Sequence, residues 1–181
     1  MKIAVLTAAV VILAVSAQGK SDSGREVTVY LDNSIAVPGI DRLRAQLVAS
    51  NMFAGIGVAL HWKSTNASRP EPGAIVIELA TDIPAALLTE AYAYALPLEG
   101  VHIRIFWNRI SAEPSPGELL AHVMAHEITH ILQGIDRHST EGIMKAHWTD
   151  KDRSAMKFRP LHFAPEDVIM IYSGLAARAP L

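Results

Sequence analysis

Cysteine is absent from the 181-residue chain, so no disulfide can staple the fold, and stability has to come from a packed core, with any bound metal as a further contribution. There is no run of basic residues, and the formal charge is −2, from 16 Lys and Arg against 18 Asp and Glu. Such a surface does not concentrate phosphates, which excludes a nucleic-acid-binding role. No internal repeat is visible, which excludes a solenoid or propeller. Nor is there an apolar run of the roughly 20 residues that a membrane-spanning helix needs.

The longest apolar run stands at the start. Residues 1–17, MKIAVLTAAVVILAVSA, combine one lysine, a stretch interrupted only by Thr7, and the A-x-A-like end Val15-Ser16-Ala17. This pattern predicts a secretory signal peptide cleaved after Ala17, hence a secreted or periplasmic protein with no stable membrane insertion once cleaved; a retained anchor is the alternative. Cleavage leaves 15 basic against 18 acidic residues, a formal charge of −3, and a length that suits one domain with a real core. Residues 18–25, QGKSDSGR, read as a flexible mature N-terminus, so the domain proper spans 26–181.

The most informative stretch is 117–144, GELLAHVMAHEITHILQGIDRHSTEGIM, in which His126, Glu127 and His130 spell H-E-x-x-H. Leu120, Met124, Ile128 and Ile131 or Leu132 recur at helical steps, and Pro116, Gly117 and Glu118 suit an opening turn. On such a helix two histidines four apart lie on nearly one face, so both imidazoles can reach a single ion. Glu127 projects about 100° away, free to hold a water and take its proton as general base. Gly134 ends the helix by tolerating the left-handed conformation, and the chain can double back. That return brings two candidates for a third ligand into range, His138 and Asp136; imidazole is the commoner choice, and Asp136 otherwise orients a histidine or caps the turn. His122, a turn before His126, is expected to support a ligand from behind or to lie at the surface rather than to bind the ion itself.

This stretch resembles the metzincin clan of zinc endopeptidases, whose motif H-E-x-x-H-x-x-G-x-x-H or -D precedes a turn carrying methionine. Here the glycine is displaced to Gly134 and the histidine to His138. The run His138-Ser139-Thr140 with Gly142-Ile143-Met144 is similar to the matrixin-like H-S-x…I-M stretch, with a shorter gap. The resemblance implies an α+β, zincin-like single domain: a twisted mixed sheet, a long N-terminal helix, a zinc-binding helix, a methionine turn and a C-terminal helix. It further implies one catalytic Zn²⁺ held by His126, His130 and His138, Met144 as an apolar floor, and a peptide or protein substrate. A non-catalytic zinc-binding or partner-binding protein on the same frame is the alternative.

The rest of the chain fits that order. Val27, Val29 and Leu31 alternate as a strand; Pro38-Gly39 opens a helix to about Phe53 with Ile40, Leu43, Leu47 and Val48 as its expected buried stripe; Val58, Leu60 and Trp62 form a second strand. Ala74–Leu79 is the most apolar strand and is expected at the sheet centre. Asn66-Ala67-Ser68 is formally a glycosylation sequon, and 84–90 read as helical turns. Ala91–Pro97 is the candidate edge strand beside the cleft, its proline suiting an edge, though its tyrosines equally suit simple packing. After the strand Val101–Trp107, residues 145–164 are expected to form an irregular lower rim in which Trp148 and Phe158 line the pocket or pack inside. Pro165-Glu166-Asp167 opens a last helix with Val168, Ile171 and Leu175 on one face.

Overall fold

A computed structural model describes residues 25–65, 70–82 and 91–178. The predicted signal peptide, the polar terminus up to residue 24, the sequon at Asn66 and the predicted turns at 84–90 lie outside the described residues. Strand β1 (Glu26–Leu31) leads through helix α1 (Gly39–Ala54) to β2 (Ala59–Ser64) and β3 (Ile75–Ala80). The short β4 (Ala93–Ala95), β5 (His102–Phe106) and a single turn α2 (Trp107–Ile110) come next, then α3 (Pro116–Gln133), α4 (Asp150–Met156) and α5 (Pro165–Arg178).

The described strands form one sheet in the order β2-β1-β3-β5-β4. The first four run parallel, and β4 pairs antiparallel with β5 at the margin. Parallel neighbours need a crossover, which α1 supplies between β1 and β2. Alternation puts Val27, Val29 and Leu31 of β1, Ile75, Ile77 and Leu79 of β3, and Ile103 and Ile105 of β5 into one apolar core. As its composition predicts, β3 is central. As its proline predicts, the segment at 91–97 is marginal.

The helices pack on this core, and two expectations are corrected there. Ile40, Leu43 and Leu47 do not form the buried stripe of α1: they are 73%, 63% and 51% exposed, while Ala45, Val48, Ala49, Met52 and Phe53 face inward. The helix meets α3 through a different face at its N-terminal end, where a Cβ on Gly117 would come within 3.2 Å of the Asp41 backbone, so close packing there leaves no room for a side chain on Gly117. The rim at 145–164 is not irregular throughout, because 150–156 are helical. Thr149 and Asp152 form a reciprocal capping box at the start of α4, a Thr-x-x-Asp relative of the usual signature. Phe158 neither lines a pocket nor packs, being 89% exposed.

Candidate metal centre

Helix α3 ends where glycine predicts: Gly134 has φ 69° and ψ 17°, and its N–H donates to the His130 carbonyl. Such a cap turns the chain sharply, and the return brings His138 opposite the helix. The ring centroid of His138 lies 5.3 Å from that of His126 and 5.0 Å from that of His130, which are 4.7 Å from each other. One donor atom from each of the three falls within 4.8 Å of the others. Asp136 is exposed and stands outside that group, but its charge is felt by both Glu127 and His130.

Hydrogen bonds fix the state of two rings. His126 Nδ1 is 2.8 Å from the Ile143 carbonyl and His130 Nδ1 is 3.2 Å from the Ile135 carbonyl. A carbonyl only accepts, so both Nδ1 atoms carry the proton and both neutral rings present a bare lone pair at Nε2. These two lone pairs face each other at 3.0 Å. Side-on protonation does not relieve the clash: burial, ahead of the charges of its histidine neighbours, pulls the His126 imidazolium down to about 3. Burial likewise lowers His130. Two acceptors pointed at one spot, with a third imidazole at hand, suit a cation. Tetrahedral zinc with nitrogen ligands about 2.0–2.1 Å away accepts donors spaced at roughly 3.4 Å, so the donor set fits the ion.

Glu127 is buried beside the group, and burial first, then the negative charge of Asp136, pushes its carboxyl up to about 8. Met144 is fully buried, and its carbonyl accepts from the Ser139 amide at 2.7 Å, which ties the turn after the third histidine to the methionine. Trp148 packs edge-on against His126 and, like His126, donates to the Ile143 carbonyl, at 3.2 Å. His122 is neither a ligand nor a surface residue: its Nδ1 donates to the Glu118 carbonyl at 2.7 Å, and its Nε2 accepts from the Leu161 amide at 3.1 Å. It pins the lower segment to α3.

Asp167 has a place that its sequence context understated. It reads as a dipole-complementing residue in the first turn of α5 yet is wholly buried, with Oδ1 accepting from Arg137 Nη1 at 2.7 Å, from Ser139 Oγ at 2.7 Å and from Gln133 Nε2 at 3.5 Å. It thereby grips the residues on either side of His138. The signal was present in the spacing: Asp167, Ile171 and Leu175 share one helical face.

No protein-family model matches this chain, and no curated protein matches it. Among solved structures it is similar to archaemetzincin from Methanopyrus kandleri, with a TM-score of 0.63 and 11% identity, covering 86% of this chain and 98% of that one. At that identity the likeness speaks for the arrangement of elements alone: the chain has an α+β single-domain fold similar to that of the Methanopyrus kandleri protein.

Proposed function

We propose that the protein is an exported zinc-dependent endopeptidase in which His126, His130 and His138 hold one Zn²⁺ and Glu127 is the general base. The observation that carries this reading is the pair of Nε2 lone pairs converging at 3.0 Å with His138 alongside, next to a buried carboxyl. Zinc bound there supplies a Lewis acid that acidifies water and polarises the scissile carbonyl. The Ile143 and Ile135 carbonyls hold the two helix imidazoles neutral and correctly turned. Glu127 takes the proton of the attacking water and hands it to the leaving amine nitrogen. His138 is the third ligand in preference to Asp136, whose carboxylate acts from outside through its charge. Met144 closes the floor of the site, and the side of β4 that pairs with no other described strand offers a peptide a strand to extend. The secretory pattern of residues 1–17 supports a secreted or periplasmic location.

Digestion of an unbiased peptide library by the purified protein tests this. The expected result is cleavage abolished by a chelator and restored by zinc, with Glu127→Ala keeping one zinc per chain and losing about 10²–10⁴-fold in rate. Stoichiometric zinc without cleavage by the parent protein would instead favour the non-catalytic zinc-binding protein.

A further inference from the structure

Leu96, Leu98 and Ile135 are large apolar side chains that the fold leaves exposed, Leu98 by 95%. They are not scattered. All three line one groove of about 420 Å³, with Pro97, between the Leu96–Glu99 turn that joins β4 to β5 and the Gly134–Asp136 stretch that follows α3. The carboxyl-bearing residues Glu99 and Asp136 belong to the same lining, and Glu99 is held by His102 Nδ1 at 2.5 Å. The groove wall and the metal centre share a residue, since the Ile135 carbonyl is the acceptor of His130 Nδ1.

We propose that this groove receives a large aliphatic or aromatic side chain of the substrate and so sets the substrate class. This deepens the peptidase reading and rests on it. The occupant follows from continuity: among the described residues β4 bonds to β5 alone, so a strand added on its outer side would extend the sheet, and the groove lies directly beyond the C-terminal end of β4. A strand added there presents alternate side chains to the surface it covers. Antiparallel addition, the more stable mode, sends the N-terminal half of the peptide toward the groove. With the zinc-binding helix packed beside β4, the selected residue precedes the scissile bond. Apolar walls reward a bulky hydrocarbon, and two neighbouring carboxylates repel an acidic residue.

The test uses the zinc-loaded, full-chain Glu127→Ala protein, which holds peptides without consuming them. Fluorescein-labelled peptide pools, with one position at a time fixed as Leu, Phe, Gly, Asp or Lys and the others degenerate, are titrated by anisotropy. One position is expected at which Leu and Phe pools bind at least about tenfold tighter than Gly or Asp pools. Leu98→Asp, made at a residue the fold does not need, should erase that difference while zinc content and melting temperature stay unchanged. Equal affinities, no binding, a preference for Lys, or a Leu preference untouched by Leu98→Asp would overturn the proposal. The two readings fail separately: cleavage by the parent protein without an apolar preference sinks the groove alone, whereas apolar-selective binding with no cleavage by the parent sinks the peptidase.

Discussion

Helices α1 and α3 lie against each other and treat their side chains in opposite ways. The first turns Ile40, Leu43 and Leu47 outward and Ala45 and Ala49 inward; the second takes His122, His126, Glu127, Thr129 and His130 out of solvent. Apolar residues left outside on α1 follow from geometry, because the helix turns the face bearing Ala45, Val48, Ala49, Met52 and Phe53 to the core. Polar residues kept inside α3 cost desolvation unless each has a partner. His122 and Thr129 have theirs in backbone carbonyls, Thr129 Oγ1 donating to the Ala125 carbonyl at 2.7 Å. The inward nitrogens of His126 and His130 have only each other. A helix that buries unreconciled acceptors is a site, and a helix that exposes leucines is merely crowded.

The sharpest way to strain this contrast is at the far end of α3. A Cβ on Gly174 of α5 would sit 1.6 Å from the Leu132 carbonyl oxygen, a backbone atom that cannot step aside. Gly174→Ala is expected to destabilise the fold by at least about 3 kcal/mol, the top of the usual overpacking range, read by urea denaturation, and to weaken zinc binding with it. A near-neutral result would mean the two helices do not touch as described. Next comes Asp167→Ala, which releases both neighbours of His138. Zinc affinity should fall by up to about 10–100-fold, the cost of losing a group that positions a metal ligand. In a His138→Ala background the same change should do nothing more, and an undiminished effect there would show that Asp167 acts elsewhere.

The buried groups of α3 also predict a pH dependence for the zinc-free protein. His126 titrates near 3 when folded against an ordinary 6.5, so between those values the unfolded chain binds more protons and stability rises with pH. Glu127 titrates near 8 when folded against an ordinary 4.5, so between those values the folded chain binds more protons and stability falls as pH rises. Those two contributions cancel between about 4.5 and 6.5, but burial also lowers His122 and His130. Stability, read as melting temperature, should therefore still rise with pH up to about 6.5 and decline above it, each group contributing a slope of up to about 1.4 kcal/mol per pH unit. Glu127→Gln should remove the alkaline decline, and its persistence would count against this account. The smallest effect belongs to α1: Leu47→Gln should change stability by no more than about 0.5 kcal/mol, whereas Ala49→Leu should cost about 1–3 kcal/mol. The reverse ranking would restore the stripe expected from periodicity.

Much of the architecture was legible because its signals are local. Alternation located β1, β2 and β5, apolar content located β3 and placed it centrally, and proline marked the edge at 91–97. Gly134 stopped α3 for a reason intrinsic to one residue. The threonine-led cap of α4 is equally local, but the residues around it have too little apolar periodicity to announce a helix. The inward face of α1 was not legible: which of two plausible faces turns inward depends on how the helix packs against α3, and no window of sequence contains that neighbour.

The site divides in the same way. Spacing alone put His126 and His130 on one face with Glu127 beside them, since a helix imposes that relation whatever surrounds it. The carbonyls of Ile143 and Ile135, the grip of Asp167 on the residues flanking 138, and the apolar groove beyond β4 join segments far apart in the chain. Only the tertiary structure decided those, because a hydrogen bond between such segments exists only once the core between them has packed.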